Sequence, residues 1–486
     1  MTFAYEGSYD NIFTDVSFQL DTDWKLGFCG RNGRGKTTFL KLLMGQYEYS
    51  GTITASVRFE YFPYTVADMT QNTIDVLSAI APDAPLWKIQ KELSLLLIPE
   101  DALPRPFATL SYGEQTKALL AGLCLRENSF LLIDEPTNHL DMAARQTVAK
   151  YLTDKSGFIL VSHDRAFLDE CIDHVLSINK TNIEIQSGNF SSWWNNKRME
   201  DEYEIAENER LKKDISRLEV AARRTMEWSD KVEKSKNQPL KSGLSADRGY
   251  IGHKAAKMMK RSKSAEKRRN DAAQEKSKLL RNIETAEPLK LSPQQYHTSR
   301  VLSVENLSIT YSGNTVFRDM SFTQEQGERI ALIGSNGCGK SSLLKLICGE
   351  NIPSEGSVAI GSRLLISYVP QDASFLSGDL NEYAAENSID VTLFKTILRK
   401  LDFSRIQFEK DIRDYSAGQK KKVLLARSLC EHAHLYVWDE PLNYIDVLSR
   451  MQIEELIMAY KPTLLFVEHD RAFCDNIATK SVRFTK

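Results

Sequence analysis

Four short motifs in this chain carry residues that could bind and cleave a nucleoside triphosphate, and each motif occurs twice. The first copy consists of GRNGRGKT (30–37), LSYGE (110–114), IDEP (133–136) and SHD (162–164). The second copy consists of GSNGCGKS (334–341), YSAGQ (415–419), WDEP (438–441) and EHD (468–470). The two copies keep the same order at offsets of 304 to 306 residues. This pattern predicts one phosphate-handling module that is duplicated within the chain.

The glycine-rich segments match GxxxxGK[ST], and each lies between a strand-like apolar run and a helix-like segment. Glycines allow main-chain N–H groups to curl around a phosphate at a helix N-terminus. Lys36 and Lys340 can neutralise β- and γ-phosphate oxygens, while Thr37 and Ser341 can offer hydroxyls to Mg²⁺. One such match could be accidental, but two in this setting favour ATP binding with Mg²⁺.

Adjacent carboxylates end the next apolar run in each copy. Asp134 and Asp439 occupy the strand end, where a carboxylate can reach the metal. Glu135 and Glu440 follow, where a carboxylate can orient or deprotonate the attacking water. An ordinary surface pair is the alternative, and the glycine loop upstream in both copies disfavours it.

A histidine follows a third apolar run in each copy. His163 and His469 stand at matched positions, each followed by Asp-Arg, and could contact the γ-phosphate. A lone histidine is more often structural, but the repeated context favours a role in catalysis.

Composition and charge limit the possible classes of protein. The chain has 486 residues and a net charge of -2, which predicts a globular protein of two or three domains. Apolar runs fall short of a membrane helix, and the start has no secretory pattern, so we expect a cytoplasmic protein. Seven scattered cysteines predict neither a disulfide framework nor a metal cluster.

Strand-like runs alternate with helix-like segments in both copies, which predicts an α/β fold with a mostly parallel sheet. We expect one nucleotide-binding domain at 1–190, a linker at 191–298 and a second nucleotide-binding domain at 299–486. Only four residues precede Tyr5, whereas a longer strand-like run precedes its counterpart Tyr311. The first domain is therefore expected to lack most of an opening strand, either because the chain begins upstream of this sequence or because that edge of the domain is shortened.

The predicted linker is basic, with 20 Lys and Arg against 9 Asp and Glu over 211–280, a balance of about +11. Two stretches rich in helix formers, 196–228 and 252–283, flank a polar segment at 229–253. This order predicts an antiparallel helical hairpin whose tip touches a polyanion. A rigid spacer, or a solvated face with internal ion pairs, is the alternative.

These motifs together resemble ABC-type ATPases with two nucleotide-binding domains in one polypeptide. In that family LSYGE and YSAGQ correspond to the signature motif, which closes over nucleotide bound by the other domain. The resemblance implies two composite sites inside a monomer. One would combine Lys36, Asp134 and Glu135 with Ser416 and Gly418, and the other Lys340, Asp439 and Glu440 with Ser111 and Gly113.

The resemblance also assigns roles along the chain. The implied ATP-binding residues are Tyr5, Gly30, Asn32, Gly33, Gly35, Lys36, Thr37, Thr38, Ser111 and Gly113, with Tyr311, Gly334, Asn336, Gly337, Gly339, Lys340, Ser341, Ser342, Gln371, Ser416 and Gly418. The implied Mg²⁺ ligands are Thr37, Asp134, Ser341, Gln371 and Asp439, and the implied catalytic residues are Glu135, Glu440, His163 and His469. Tyr64 stands where Gln371 stands in the second module, so unequal hydrolysis rates are expected.

Two soluble domains joined by a basic helical linker resemble the ABC-F group, whose members act on the ribosome. From Tyr64 to Ser111 there are 47 residues, against 45 from Gln371 to Ser416, which leaves no room for the arm of the housekeeping bacterial members. The segment 438–446 is similar to that of the antibiotic-resistance members, especially the Lsa and Vga types. The chain ends 17 residues after His469, so no C-terminal extension is expected.

The resemblance implies a ribosome-associated factor whose linker enters the tRNA exit site. The tip would displace lincosamide, pleuromutilin or streptogramin A drugs from the peptidyl-transferase centre, directly or through P-site tRNA and 23S rRNA, and ATP hydrolysis would release the factor. Basic linker residues would bind RNA phosphates, among them Lys254, Lys257, Lys260 and Arg261. The alternatives are a translation factor that relieves stalling without a drug and, less favoured, the ATPase subunit of a transporter.

Overall fold

The computed structural model describes residues 1–5, 11–138, 140–179, 182–235, 257, 260, 263–264, 267–268, 271, 289–311 and 314–484. The predicted tip 229–253 lies outside the described residues beyond Ser235, and so do Lys254 and Arg261. The chain divides into one unit of Met1–Trp193 with Ala286–Lys486 and a second unit of Trp194–Thr285. Both sets of motifs lie in the first unit.

The first module contains a six-stranded sheet in the order β2-β3-β4-β1-β5-β6. Its strands are β1 Lys25–Cys29, β2 Arg58–Phe62, β3 Ser129–Asp134, β4 Phe158–Val161, β5 His174–Asn179 and β6 Asn182–Ser187. Neighbouring strands run parallel, except that β6 is antiparallel to β5. Because β1, β4 and β3 are adjacent and parallel, the loops at their carboxyl ends meet at one edge of the sheet.

Helices connect these strands. They are α1 Lys36–Leu43, α2 Thr73–Ile80, α3 Leu86–Leu95, α4 Tyr112–Cys124, α5 Met142–Thr153 and α6 Arg165–Cys171. The carboxylates of Asp141 and Asp164 cap α5 and α6 by accepting main-chain N–H groups at 2.9 and 3.0 Å. These caps fix where the chain turns from each catalytic loop into the following helix.

The second module repeats this plan. Its strands are β7 Arg300–Tyr311, β8 Asn314–Glu325, β9 Arg329–Ile333, β10 Ser354–Ile360, β11 Ile366–Val369, β12 Leu435–Asp439, β13 Leu464–Val467 and β14 Lys480–Arg483. Its helices are α8 Lys340–Ile347, α9 Leu380–Glu386, α10 Val391–Lys400, α11 Ala417–Cys430, α12 Val447–Tyr460 and α13 Arg471–Ile477. A parallel sheet has the order β11-β12-β13-β9-β14, and an antiparallel sheet has the order β10-β7-β8.

The modules differ at their start. The second opens with the long antiparallel pair β7 and β8, twelve residues each. In the described part of the first module, the corresponding region has isolated bridges from Thr2 to Ser50 and from Phe3 to Phe13. Over its described residues, the first module therefore has much less antiparallel sheet at this edge than the second.

Apolar cores hold the glycine loops in place. In the first module, Phe39 of α1 packs its ring against Phe28 and Phe13, with centroids 5.3 and 5.9 Å apart. In the second, Leu343 and Leu344 of α8 are fully buried. Each helix that follows a glycine loop is thus fixed to the sheet by its own apolar face.

The long helix α7, Phe190–Ser235, has 46 residues and a length of ~69 Å at 1.5 Å per residue. It contains the predicted first arm 196–228 and continues to Ser235, inside the predicted tip. Lys257 and Lys260 are exposed residues in helical conformation. None of the helices in the described part of the chain is both long and apolar enough to cross a membrane.

The linker ends earlier than expected. Leu289 and Leu291, which the sequence assigned to the linker, are 5% and 3% exposed and belong to the core of the second module. Tyr296 packs in a second apolar cluster of the same module, and its hydroxyl donates to the Ser362 carbonyl at 2.8 Å. The apolar residues at 289–296 therefore start the second module before its first strand.

Candidate active sites

Two of the cavities where the modules face each other are lined by the predicted motifs. The smaller, site 1, has a volume of about 430 Å³, and its lining includes Asn32, Gly33, Lys36, Thr37, Asp134, Glu135, His163, Ser416 and Gly418. The larger, site 2, has a volume of about 900 Å³, and its lining includes Ser111, Gly113, Tyr311, Asn336, Gly337, Gly339, Lys340, Ser341, Ser342, Gln371, Glu440 and His469. Each cavity thus combines the glycine loop of one module with the signature segment of the other.

The last glycine of each loop adopts a left-handed conformation and caps the following helix. Gly35 has φ 92° and Gly339 has φ 96°, a region that side chains disfavour. A Cβ atom at Gly35 would lie 2.6 Å from the side chain of Ile12, and one at Gly339 would lie 2.8 Å from Phe317. Glycine is therefore required at both positions, because the backbone conformation disfavours a side chain and because there is no space for a Cβ atom.

The loop lysines point back into their own loops. Lys36 Nζ donates to the main-chain carbonyls of Gly30 and Arg31 at 2.6 and 3.1 Å. Lys340 Nζ donates to the carbonyls of Gly334 and Ser335 at 2.8 and 2.9 Å. Both lysines are buried, so each ammonium is held inside its own glycine loop.

The strand-end aspartates have different surroundings. Asp134 Oδ2 accepts hydrogen bonds from Thr37 Oγ1 at 2.9 Å and from the Tyr61 hydroxyl at 3.0 Å. Asp439 is fully buried, and neither of its carboxylate oxygens has a hydrogen-bond partner among the described residues. Burial raises the pKa of Asp439 to about 6. Buried oxygens without a donor suit a cation, so Asp439 with Ser341 and Gln371 fits Mg²⁺.

The glutamates that follow these aspartates are held by strained backbone. Glu135 and Glu440 have φ 53° and 48°, which is costly for a residue with a side chain. Their N–H groups donate to the Val161 and Val467 carbonyls at 2.9 and 3.0 Å, continuing the sheet. The two modules therefore place these carboxylates by the same local geometry.

Each glutamate lies beside its predicted histidine. Glu135 Oε1 is 3.2 Å from His163 Nε2, and Glu440 Oε1 is 3.2 Å from His469 Nε2. Burial lowers the pKa of His163 well below its ordinary value, and the positive charge of Lys36 adds to this effect. A neutral imidazole at this position can donate one hydrogen bond while carrying no charge.

The electrostatics of the two glutamates differ. Burial, followed by the charge of Asp134, raises the pKa of Glu135 to about 8. Burial also acts to raise the pKa of Glu440, but hydrogen bonds from His469 and Gln371 with the charge of His469 outweigh it and lower the pKa to about 2. The matched geometry therefore gives the two carboxyl groups opposite pKa shifts.

The signature serines are helix caps. Ser111 forms a capping box with Glu114 at the start of α4, and Ser416 forms one with Gln419 at the start of α11. A capping box orients the first N–H groups of the helix, and the positive end of the helix faces the cavity. The signature pattern is thus a helix start that faces the other module's glycine loop, an arrangement that suits an anion.

The predicted aromatic pair is placed similarly in both modules. The Tyr5 hydroxyl lies 2.7 Å from Thr38 Oγ1, and the Tyr311 hydroxyl donates to Ser342 Oγ at 3.1 Å. The rings are 43% and 41% exposed, which leaves a face available for stacking. Tyr311 and Ser342 line site 2, whereas Tyr5 and Thr38 lie outside the lining of site 1.

Sequence reasoning assigned no role to two tyrosines that precede the predicted metal position. Tyr64 is not among the residues that line site 1, while Tyr61, on β2, reaches Asp134 directly. Its counterpart in the second module is Tyr368, on β11. The Tyr368 hydroxyl is buried and has no hydrogen-bond partner among the described residues. The shared spacing of Tyr61 to Tyr64 and Tyr368 to Gln371 was the available signal.

Contacts across the modules were also missed. Asn32 Nδ2 donates to the Tyr444 carbonyl at 2.8 Å, and a Cβ atom at Gly418 would lie 2.7 Å from that same oxygen. Gly418 therefore leaves room beside the same second-module carbonyl that Asn32 of the first module contacts.

The chain is similar to known proteins over nearly its whole length. The sequence profile of the ABC transporter family matches residues 13–138 and 317–443. The Ribosome protection protein VmlR of Bacillus subtilis is 30% identical over 488 residues, covering 97% of this chain and 84% of that protein. The Energy-dependent translational throttle protein EttA of Haemophilus influenzae is 25% identical, covering 96% of this chain and 88% of that protein.

A solved structure shares the fold. The crystal structure of the archaeal ribosomal stalk protein aP1 with the archaeal ribosome recycling factor aABCE1 matches with a TM-score of 0.61 at 19% identity. The match covers 97% of this chain and 85% of that chain.

Proposed function

Since this chain belongs to the ABC-F family of ABC-type ATPases, we propose that it binds the ribosome and displaces antibiotics from the peptidyl-transferase centre. The observation that carries the proposal is the 30% identity to a ribosome protection protein, which extends over 97% of this chain. The aligned region includes the basic segment between the modules, so the likeness exceeds the ATPase core that all ABC proteins share.

ATP hydrolysis is the activity of these modules, and the site geometry supports a division of roles. Lys36 and Lys340 hold the β- and γ-phosphates at the glycine loops. The helix starts at Ser111 and Ser416 close over the γ-phosphate from the opposite module, which requires the modules to meet. Each composite site therefore couples nucleotide binding to closure of the pair.

Glu135 and Glu440 are the residues we propose to orient the attacking water and accept its proton at a carboxylate oxygen. His163 Nε2 lies 3.2 Å from Glu135 Oε1, and His469 Nε2, hydrogen-bonded to Glu440 Oε1 at 3.2 Å, would hold the orientation of that carboxylate. When bound, Mg²⁺ would neutralise phosphate charge. Thr37 and Asp134 would hold it in site 1, and Ser341, Gln371 and Asp439 in site 2.

The segment between the modules is the part we propose to contact RNA. Residues 211–280 carry a balance of about +11, and the described Lys257 and Lys260 are exposed on helix. Such a strip binds phosphates through charge, so its association should weaken steeply with salt. The proposed partners are 23S rRNA and P-site tRNA, reached through the tRNA exit site by a cytoplasmic monomer.

The test uses the double variant Glu135→Gln/Glu440→Gln, which keeps both phosphate loops but removes both bases. With ATP it should sediment with ribosomes, because release needs hydrolysis. The matched control Lys36→Met/Lys340→Met cannot hold the phosphates and should remain in the supernatant. Failure of the Glu→Gln form to sediment would remove the ribosome from the proposal.

Drug susceptibility tests the proposal that the protein displaces antibiotics from the ribosome. Expression in a susceptible host should raise resistance to lincosamides, pleuromutilins and streptogramin A, and the Lys36→Met/Lys340→Met form should not. Unchanged susceptibility together with intact ribosome sedimentation would favour the second candidate, a translation factor that acts without a drug. That candidate is supported by the 25% identity to a translational throttle protein.

The transporter alternative has weaker support. A transporter ATPase needs no basic segment of this length between its modules, and the relatives that match the whole chain include ribosome protection and translational throttle proteins. Fractionation of cell lysates decides it: recovery of the protein with membranes rather than with ribosomes would favour the transporter.

A further inference from the structure

Two ion pairs join the modules around site 1. Arg31, in the first glycine loop, places Nη1 3.6 Å from Asp402 Oδ1 in the second module. Arg165, which follows His163 and Asp164, pairs with Glu454 of α12. Both pairs are shielded from water, since their side chains are between 11% and 27% exposed. Charges in such positions interact more strongly than pairs on an open surface.

Comparison of the two repeats identifies the residues of site 2 that correspond to Arg31 and Asp402. Ser335 occupies the place of Arg31 in the second glycine loop. Leu97 occupies the place of Asp402, because both follow the helix before the signature and both have positive φ, 55° and 69°. A serine and a leucine form no ion pair, so this contact exists in site 1 and not in site 2.

The second ion pair, Arg165–Glu454, also has no counterpart in site 2. Arg145 and Arg450 align the repeats, since each forms a buried ion pair with the aspartate after the histidine. Four residues after Arg450 comes Glu454, and four residues after Arg145 comes Ala149, so Ala149 is the counterpart of Glu454. In the same way, Arg471 is the counterpart of Arg165. Alanine offers no charge, and Arg471 instead pairs at 3.5 Å with Asp475 of its own helix.

The volumes of the cavities between the modules also differ between the half with the two ion pairs and the half without them. Ala149 and Arg471 line a cavity of about 300 Å³ at the position that an ion pair fills on the other half. Site 2 itself has about 900 Å³, against about 430 Å³ for site 1. The cavities between the modules are therefore larger on the half that lacks the two ion pairs.

We propose that Arg31–Asp402 and Arg165–Glu454 are positioning pairs that keep site 1 closed on its nucleotide, so that site 2 opens and exchanges nucleotide first. The pairs act through the glycine loop and the histidine loop that they hold against the second module, and they touch no reacting atom. The inference depends on the ATPase modules alone, so loss of the ribosomal function would leave it standing.

The experiment measures release of radiolabelled ATP after a chase with excess unlabelled ATP. It uses the full chain carrying Glu135→Gln/Glu440→Gln, so that hydrolysis does not contribute. The parent should release nucleotide in two phases of similar amplitude. Adding Lys340→Met should leave only the slow phase and adding Lys36→Met only the fast phase, which assigns slow release to site 1. A single phase in the parent would overturn the proposal.

Exchange of the paired residues is the decisive comparison. Arg31→Ser/Asp402→Leu gives site 1 the residues of site 2 and should accelerate the slow phase on the order of tenfold, as expected for a shielded ion pair. The charge-reversed pair Arg31→Asp/Asp402→Arg should restore slow release. An unchanged slow phase in the first variant, or no recovery in the second, would contradict the assigned role.

A gain-of-function variant guards against simple misfolding. Ser335→Arg/Leu97→Asp places the missing pair in site 2 and should slow the fast phase, while leaving the slow phase unchanged. Ala149→Glu, which supplies a partner for Arg471, should act in the same direction. If both variants fold and neither slows the fast phase, the ion pairs do not control opening.

Discussion

The side-chain amide of Asn32 donates a hydrogen bond to the main-chain carbonyl of Tyr444, with 2.8 Å between Nδ2 and O. Asn32 belongs to the glycine loop of the first module, and Tyr444 belongs to the second module, four residues after Glu440. Tyr444 has φ 63°, so the carbonyl is presented by a left-handed turn. The first phosphate loop is thus bonded directly to the backbone that follows the other site's catalytic segment.

Replacing Asn32 by alanine should weaken ATP binding at site 1 several-fold, because about 1 kcal/mol of hydrogen bonding between the modules is lost. Titration with a fluorescent ATP analogue in the Lys340→Met background would measure site 1 alone. Tyr444→Phe is the matched control, since it removes the phenol and leaves the carbonyl in place. An equal loss in both variants would show that the bond itself contributes nothing.

The buried Arg450–Asp470 pair should be critical for folding. Arg450 Nη1 lies 3.1 Å from Asp470 Oδ2, and its other nitrogens donate to the Ile445 and Leu442 carbonyls at 2.9 Å. Arg450→Met leaves a buried carboxylate without its partner and should cost about 3–5 kcal/mol in the free energy of unfolding. Urea unfolding measures it, and Arg450→Met/Asp470→Asn should recover part of the loss. A full loss in the double variant would point to the carbonyl contacts instead.

Glu468 should make stability depend on pH. Burial raises the pKa of Glu468 from 4.5 to about 7. The folded state therefore holds this proton more tightly than the unfolded state, and the stabilisation is complete below pH ~4.5 and lost as pH rises through about 7. Glu468→Gln keeps an oxygen for the Leu442 N–H, which Glu468 Oε1 accepts at 2.8 Å.

The variant should match the wild type near pH 4 and exceed it at pH 8 by on the order of 3 kcal/mol at most. Thermal unfolding of both proteins across this range provides the measurement. Glu455→Gln, at an exposed position on α12, should leave the pH dependence unchanged. A constant difference between Glu468→Gln and wild type at every pH would show that this carboxyl does not titrate on unfolding.

Tyr61 should affect the metal requirement of site 1. Its hydroxyl and that of Thr37 both donate to Asp134 Oδ2, so a cation must compete with them for that oxygen. Tyr61→Phe should lower the Mg²⁺ concentration needed for nucleotide binding several-fold, in line with one hydrogen bond of about 1 kcal/mol. Tyr368→Phe is the control, and identical Mg²⁺ midpoints for wild type and Tyr61→Phe would contradict the prediction.

Much of the site could be predicted because its residues follow local patterns. A glycine with positive φ before Lys36, a carboxylate at the end of a buried strand and a serine three residues before Glu114 each belong to a short segment with its own physical signature. The repeat also provides a counterpart for each of these positions in the other module. The fold of each module followed from the same alternation of strands and helices.

The remainder depends on how distant segments pack. Nothing near Arg31 in the sequence indicates Asp402, since their contact arises only when the modules meet. Leu289 and Leu291 resemble linker residues until the core that buries them is known. Likewise Tyr61 rather than Tyr64 reaches Asp134, because the course of the chain after β2 directs the second tyrosine elsewhere.

The unequal halves have a genetic consequence. Ala149 and Glu454 occupy equivalent places in the repeat, yet they are encoded by separate codons of one reading frame. In a pair of identical subunits any substitution would appear in both halves, so one half could not lose a contact while the other kept it. Joining the modules in a single chain lets selection adjust each half independently, and the order in which the halves open becomes a heritable trait.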